Sequence, residues 1–368
     1  MRVLVVTTWL PTAAAPQSGI FVERDIDLLA RSHEIEVIHL AARSEAEPPK
    51  RPWPTRALQM TPSNPRTVAA AAKALRPMIG DFDLVHTMAA STLLPFARLM
   101  PGVPWVHTEH WSGILSPRTE PWAARLTLPL TMRLFTRPDV VVAVGSELAA
   151  AIERRRGSAV RVIPNAVEQP DHLAERRVLE GPVRLLAVGG LIPRKGPDLA
   201  VRTVAELLDR GQEVSLRWVG EGPLREECVA LADALGVADQ VRFVGPLLPE
   251  GVIEELAAAD VFLLPTRGET FGVAIAEALA SGRPVVVGAD GGHREFVHEP
   301  DGVLVARRSP DAYADAVQRV LELNAGRTAS DVARHVAETF TDTRRRDLYE
   351  ATYAEALSKL KGGRRRHP

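Results

Sequence analysis

The chain has 368 residues and a mass of 40.0 kDa, a length typical of two domains. Its 46% hydrophobic and 25% charged residues match the average soluble globular protein and exclude a disordered, collagen-like or disulfide-scaffold protein. The net charge of −1 argues against nucleic acid as a partner, and the single cysteine, Cys228, excludes an internal disulfide. No apolar run is long enough for a membrane span or a signal peptide, so we expect a cytoplasmic protein.

The first half of the chain predicts alternating strands and helices. Residues 1–7 form an apolar run typical of a strand buried on both faces of a parallel sheet. A turn, a helix over 20–30 and a strand over 34–40 complete a βαβ unit. Residues 44–66, rich in Pro, Glu and Arg, are expected to form a long surface loop. Further strands are predicted over residues 84–86, 105–107, 140–144 and 160–164.

The pattern restarts in the second half after a break. Residues 168–182 lose apolar periodicity and carry many charges, which indicates an inter-domain linker and hinge. Five strands are then predicted over residues 183–188, 215–219, 241–244, 261–264 and 285–287, and the tail over 313–360 predicts helices. The resulting division is an N-terminal domain (1–167), the linker (168–182), a C-terminal domain (183–340) and a C-terminal segment (341–368).

This alternation in both halves predicts an α/β protein of two doubly wound, Rossmann-like domains. Ligands of such sheets bind beyond the carboxyl ends of the strands. With two domains, we expect the site in a central cleft that both domains face.

Two glutamates flank a predicted helix start in the C-terminal domain. Glu269 follows the strand over 261–264, and Glu277 lies nearly two turns inside the next helix. A fully helical span would separate them by roughly 12 Å, too far for a glycosidase pair at about 5–10 Å. The spacing suits two ends of one extended ligand, with the helix start at Gly272 and Val273 as an anion site. In isolation, such a pair is more commonly a surface carboxylate and a helix-dipole partner.

A glycine-containing turn ends the first strand of the same domain and carries Arg194 and Lys195. Arg grips phosphate oxygens in a planar fork and Lys supplies a compact charge, so the pair could neutralise a diphosphate. A lysine at this turn is informative in a chain with five lysines and 40 arginines. The turn lacks the dinucleotide and Walker A fingerprints, and a solvated basic turn is the alternative.

In the N-terminal domain, His110 follows the strand over 105–107, at the sheet edge where ligands bind. Its imidazole could hydrogen-bond a sugar hydroxyl. Gly19 precedes the first helix, whose N-terminus could meet a phosphate or an acceptor. A packed histidine and a plain turn glycine are the alternatives. His107 and His110 have no third ligand nearby, so we expect no metal site.

Residues 120–137 combine apolar and arginine side chains. The pattern fits a basic amphipathic helix at a membrane surface, or a core-packing helix with its arginines in water. Pro129 is expected to interrupt it. The arginines at the C-terminal end of the chain are expected to be solvated.

Taken together, these motifs resemble the retaining glycosyltransferases of family 4, which have the GT-B architecture. The resemblance covers nearly the whole chain and rests on the order and spacing of segments that are individually weak. These segments are the strand ending at His110 and residues 163–167, 188–196, 219–224, 244–245, 259–261, 269–285 and 291–295.

The resemblance implies that the C-terminal domain binds a nucleotide-diphosphate sugar. Arg194 and Lys195 would hold the diphosphate, and Glu277 would hydrogen-bond the ribose. Glu269 would act in catalysis beside the donor sugar. Backbone contacts to sugar and phosphate would come from Phe271, Gly272 and Val273.

For the N-terminal domain, the resemblance implies that His110 contacts the donor sugar near the reacting carbon and that Gly19 lies near the diphosphate or the acceptor. The last helix would cross back to this domain. Transfer would be metal-independent and retaining, with the departing phosphate receiving the acceptor's proton. The partners would be a UDP- or GDP-sugar and a hydroxyl acceptor of a polysaccharide, glycolipid or small metabolite. Residues 120–137 favour an acceptor at the inner membrane surface.

Two departures concern the diphosphate contacts, because Gly190 stands where Arg is common and Gly19 stands alone where many members have two glycines. Two alternatives to a transferase share the architecture. A nucleotide-sugar epimerase would need further acid–base carboxylates, and a non-catalytic nucleotide-sugar-binding protein would be expected to lack Arg194, Lys195 or Glu269. The donor base, the sugar and the acceptor stay open.

Overall fold

The chain forms two compact units in the computed structural model, which describes residues 1–12, 18–42, 50–117 and 122–362. The first unit comprises Met1–Ala166 and Asp342–Pro368, and the second comprises Val167–Thr341. Outside the described residues lie parts of the turn before the helix predicted over 20–30 and of the loop predicted over 44–66. The start of the segment over 120–137 and the terminal arginines lie outside them as well.

The first unit contains a seven-stranded parallel sheet. Its strands are β1 (Arg2–Thr7), β2 (Glu34–Ala41), β3 (Thr55–Gln59), β4 (Leu84–Met88), β5 (Trp105–Glu109), β6 (Val140–Ala143) and β7 (Arg161–Val162). Its helices up to that point are α1 (Ile20–Ala30), α2 (Pro65–Leu75), α3 (Trp122–Leu134) and α4 (Ser146–Arg156). The strand order β3-β2-β1-β4-β5-β6-β7 reverses direction between β1 and β4. This is the doubly wound order predicted from the alternating pattern.

The second unit repeats this plan with six parallel strands. They are β8 (Val183–Val188), β9 (Val214–Val219), β10 (Val241–Gly245), β11 (Val261–Leu264), β12 (Val285–Gly288) and β13 (Gly302–Val305). The helices are α5 (Pro197–Asp209), α6 (Arg225–Ala234), α7 (Pro249–Ala258), α8 (Val273–Ala280), α9 (Pro310–Leu323) and α10 (Ala329–Thr339). In the order β10-β9-β8-β11-β12-β13, the reversal falls between β8 and β11. Central strands such as β11 and β12 are buried at every residue, which explains their continuous apolar sequence.

The last helix, α11 (Asp342–Gly362), belongs to the first unit. It packs against α1, β5 and β6. Tyr349, Tyr353 and Ala356 enter the same apolar core as Val3 and Ile26. The C-terminal end of the chain therefore helps to form the core of the N-terminal unit.

Three local expectations are wrong. Part of the loop predicted over 44–66 is the strand β3, which escapes recognition because it lies at the sheet edge and is mostly exposed. The strand β13 is only four residues long and was not predicted. Pro129 does not interrupt α3, which continues because Met132 and Leu134 in its last turn are buried.

Residues 168–182, predicted as the linker, belong to the second unit, which begins at Val167. Arg177 forms an ion pair with Asp260 at 2.6 Å. Arg176 donates to the main-chain carbonyl of Asn324 at 2.8 Å. Two of the charges that suggested an inter-domain linker therefore fasten this segment to the second unit.

No helix within the described ranges is both long enough and apolar enough to cross a membrane.

Candidate functional site

Two loops of the second unit leave the carboxyl ends of β8 and β11, the adjacent strands at which the sheet order reverses. The first carries Arg194 and Lys195, and the second carries Thr266 and Glu269. Crevices at such a reversal are the usual ligand sites of doubly wound sheets. The topology thus brings together three residues that were predicted from separate motifs.

These side chains converge on a single carboxylate oxygen. Lys195 Nζ lies 2.7 Å and Arg194 Nη1 lies 2.9 Å from Oε1 of Glu269. The Thr266 hydroxyl donates to the same oxygen. The Glu269 side chain is only 9% exposed and those of the two cations 14% and 16%. The cluster is therefore a largely buried group of two positive charges and one negative charge.

The environment decides the charge of Glu269. Burial alone would raise the pKa of this carboxyl, but the charges of Lys195 and Arg194 and the hydrogen bonds from Lys195 and Thr266 outweigh burial and lower the pKa to about 2. Glu269 is therefore ionised at neutral pH. It holds both cations in place while leaving one net positive charge for an anionic ligand.

Two glycines hold the Glu269 loop against the turn after β12. Gly291 has φ +133°, and a Cβ there would lie 2.5 Å from the carbonyl oxygen of Glu269. The N–H of Gly292 donates to that oxygen at 2.8 Å, and a Cβ on Gly292 would lie 2.2 Å from the carbonyl oxygen of Thr270. The paired glycines therefore allow the close approach that fixes the backbone of Glu269.

The α8 N-terminus follows directly. Gly272 precedes the helix with φ +91°, a conformation that favours glycine. The Phe271 side chain packs in an aromatic cluster with Phe296 and Phe340, at centroid distances of 5.1 and 5.2 Å. This packing anchors the backbone from Phe271 to Val273, whose first-turn N–H groups form a site suited to an anion.

Glu277 lies in the second turn of α8 and is partly buried. It is on the helix whose N-terminus follows Glu269. Its predicted contact with a ribose stays a prediction.

The other predicted residues lie in the first unit. Gly19 precedes α1 with φ +80°, and a Cβ there would lie 2.6 Å from the main chain of Trp9. Two residues later, the Phe21 ring packs against His110 with centroids 4.7 Å apart. The structure therefore brings the Gly19 turn and His110 into one neighbourhood at the end of β5.

His110 is 5% exposed and held by specific neighbours. Its Nδ1 lies 3.0 Å from Oδ1 of Asn165, and an amide oxygen only accepts, so Nδ1 carries the proton. Its backbone N–H donates to the Glu109 carboxylate at 2.8 Å. Burial lowers the pKa of the imidazole, whereas Asp25, Glu109 and the Asn165 hydrogen bond act in the opposite direction. The ring is therefore neutral at pH 7.

Sequence reasoning missed Asp25, whose Oδ2 lies 4.0 Å from Nε2 of His110. A signal was available, because Asp25 occupies the apolar stripe of α1 with Val22, Ile26 and Leu29. A charged residue in such a stripe needs a buried partner.

His293 was also missed. It is fully buried behind Gly272, where it donates from Nε2 to the carbonyl of Gly288 at 2.6 Å. Burial lowers its pKa, so the ring is neutral and fastens the end of β12 beside the Glu269 loop.

Within the segment over 120–137, the residues Trp122–Leu134 form α3. Leu130 is 57% exposed, and Arg125 and Arg133 are exposed as well.

The described residues contain no group of three or more His, Cys, Asp or Glu side chains arranged to hold a metal ion.

Two family models match the chain. "Glycosyltransferase Family 4" matches residues 26–169, and "Glycosyl transferases group 1" matches residues 182–323. The first match covers residues of the first unit up to its boundary and extends to residue 169, and the second match lies within the second unit.

Several relatives carry the same description. A D-inositol 3-phosphate glycosyltransferase of Geodermatophilus obscurus is 32% identical over 317 residues, covering 76% of this chain and 68% of that protein. One of Corynebacterium diphtheriae is 35% identical over 178 residues, covering 46% of this chain and 42% of that protein. The chain thus spans less than half of the second relative.

Solved structures share the fold. The lipopolysaccharide outer core galactosyltransferase WaaB has a TM-score of 0.75 at 16% identity, over 97% of this chain and 100% of that one. Anabaena HepE in complex with UDP and glucose has a TM-score of 0.74 at 18% identity, over 96% and 99% of the two chains.

Proposed function

The chain belongs to the group 1 glycosyltransferases of family 4, and we propose that it transfers a sugar, with retention, from a UDP- or GDP-sugar to an acceptor hydroxyl. The proposal depends above all on the cluster of Arg194, Lys195 and Glu269 at the β8–β11 reversal. The nucleotide complex of the similar HepE supports a UDP-sugar as the first donor to test.

The donor would be held by charge and by backbone groups of the second unit. Arg194 and Lys195 neutralise the diphosphate, and the N–H groups at the start of α8 bind its oxygens. Glu277, one turn further into α8, binds the ribose. Glu269 lies beside the donor sugar. A leaving group stabilised by two cations and a helix N-terminus needs no metal ion, so we propose metal-independent transfer.

The proposed transfer is a front-face substitution. The acceptor oxygen attacks the anomeric carbon from the face on which the diphosphate leaves, and the bond from that carbon to the diphosphate breaks with its electron pair on the phosphate oxygen. The acceptor's hydroxyl proton passes to that oxygen. This scheme needs no carboxylate nucleophile, in keeping with a Glu269 carboxylate already engaged by three donors. The neutral His110 imidazole contacts the donor sugar near the reacting carbon.

The acceptor is a hydroxyl compound bound by the first unit. The names of the relatives make D-inositol 3-phosphate the first acceptor to test.

A second class of acceptor is one at an anionic membrane surface. It is supported by α3, on which Leu130, Arg125 and Arg133 are all exposed. Co-sedimentation with anionic vesicles, lost in Leu130→Ser, is the expected result for that class; equal sedimentation with neutral vesicles would contradict it.

The test of the proposed function is nucleotide binding by calorimetry with UDP, GDP, ADP and TDP, with and without Mg²⁺. One diphosphate is expected to bind without metal, and Lys195→Ala to weaken it about 10- to 100-fold, as expected for a charge-assisted contact. Lys73→Ala, at an exposed lysine of α2, is the matched control and should bind normally. Equal affinities of the wild type and Lys195→Ala would remove Lys195 from the donor site.

A further inference from the structure

A buried carboxylate of the first unit lies between the last helix and the imidazole of His110. Asp25 is 1% exposed on α1. Its Oδ1 accepts from Nη2 of Arg345, and its Oδ2 accepts from the Tyr349 hydroxyl at 2.9 Å. Both donors stand on α11, one turn apart. Each oxygen of Asp25 is therefore fixed by a residue from the distant end of the chain.

The oxygen that accepts from Tyr349 is also the one that faces His110, with Oδ2 and Nε2 4.0 Å apart. The opposite edge of the ring is held by Asn165 at 3.0 Å, and one face packs on Phe21. The orientation of the imidazole is thus determined by its neighbours on several sides, and Asp25 is the charged one on the Nε2 side.

Anchoring α11 does not by itself call for this arrangement. A buried ion pair is costly to desolvate, and apolar residues of similar volume often stabilise a fold as well or better. The same helix shows the alternative at Ala356, which anchors it within an apolar core. The carboxylate of this charged pair faces the ring of His110, which points to a role in the chemistry of that ring.

We propose that Asp25 is a positioning residue for sugar transfer, held by Arg345 and Tyr349 of α11, which acts by fixing the orientation of the His110 imidazole. This inference rests on the proposed function. It adds the last helix of the chain to the parts of the first unit that control transfer, although none of Asp25, Arg345 and Tyr349 needs to touch a substrate.

The sharpest test compares two tyrosines of α11. Tyr349→Phe removes the hydroxyl that bonds Asp25 and leaves the Arg345 contact. Tyr353→Phe removes an equally buried hydroxyl that bonds Nδ1 of His86 at 2.8 Å. Tyr349→Phe should lower kcat about 3- to 10-fold with unchanged donor KM, and Tyr353→Phe should stay within about twofold of wild type. Equal kcat values for the two variants, at similar losses of Tm, would overturn the proposal.

A second comparison separates positioning from anchoring. Asp25→Asn removes the charge at constant shape and leaves buried Arg345 with the half-exposed Asp342, at 3.2 Å, as its carboxylate partner, so we expect both Tm and kcat to fall. The double variant Asp25→Asn/Arg345→Met also removes the buried cation and should recover Tm. If Asp25 acts through His110, kcat of the double variant stays at least about 10-fold below wild type. Recovery of kcat together with Tm would show that Asp25 only neutralises Arg345.

Nucleotide binding distinguishes failure of this proposal from failure of the proposed function. All four variants lie in the first unit and should bind the nucleotide diphosphate with wild-type affinity. A wild-type chain that binds no nucleotide diphosphate contradicts the proposed function itself. Normal binding and wild-type turnover in Asp25→Asn would contradict only the role of Asp25.

Discussion

The two units share a doubly wound topology but prepare their chemistry differently. In the second unit, charge gathers at the reversal between β8 and β11, where Glu269 holds Arg194 and Lys195 through a single oxygen. In the first unit, the neutral ring of His110 is surrounded by buried neighbours, with Asp25 fixed behind it by α11. The charged cluster of the second unit suits recognition of a common anionic group. The buried surroundings of His110 in the first unit suit control of the orientation of one ring.

The comparison predicts opposite effects on binding and turnover within the charged cluster. Glu269→Gln removes the negative charge but keeps the shape, so nucleotide-diphosphate affinity should be unchanged or tighter. Turnover should fall about 10²- to 10³-fold, the usual loss when an electrostatic group beside the reacting atoms is removed. Calorimetry and initial rates on the same preparation measure both. A parallel loss of affinity and turnover would mean that Glu269 mainly organises the diphosphate site.

His110→Ala tests the first unit in the same way. The contacts of the Glu269 carboxylate come from Thr266, Arg194 and Lys195, so the affinity for free UDP or GDP should stay within about twofold of wild type. Turnover should fall about 10- to 100-fold, within the range of one positioned polar group. A collapse of nucleotide affinity in His110→Ala would place this residue in nucleotide binding instead.

The charged cluster should also dominate the acid stability of the second unit. The pKa of Glu269 is lowered from 4.5 to about 2 in the folded chain, so its ionisation stabilises the fold above pH 4.5. That stability, up to about 3 kcal/mol, is lost as the pH falls from 4.5 through 2. Urea unfolding between pH 6 and pH 3 should show a smaller decline in the free energy of unfolding for Glu269→Gln than for wild type. An equal decline in the free energy of unfolding for wild type and Glu269→Gln would show that the cluster does not lower the pKa of Glu269.

The sequence predicted that these residues of the second unit lie close together, because they follow strand ends. Arg194, Lys195 and Glu269 lie in the turns after β8 and β11, and the carboxyl ends of adjacent parallel strands meet at one sheet edge. Apolar runs placed these strands to within a residue at most ends. The sharing of one Glu269 oxygen depends on side-chain geometry and could not be read from spacing.

The first unit was harder to predict because its contacts join distant parts of the chain. Asp25 and Arg345 are 320 residues apart, and no local pattern relates them. Edge strands such as β3 lack the apolar runs that mark buried strands, and β13 is too short to stand out. Asp25 itself was detectable as a charge in the apolar stripe of α1, but its partners were not.

The smallest expected effect concerns Glu277, in the second turn of α8. If its carboxylate binds the ribose, Glu277→Ala should weaken the nucleotide and the nucleotide-sugar by the same factor, about 5- to 20-fold, because both carry the same ribose. Glu277→Asp should recover part of the affinity. The ratio of affinities for the nucleotide-sugar and the free nucleotide is therefore the informative quantity, and calorimetry with both ligands gives it directly. A change in that ratio would place Glu277 beside the sugar instead of the ribose. Both Glu269 and Glu277 would then face the donor sugar.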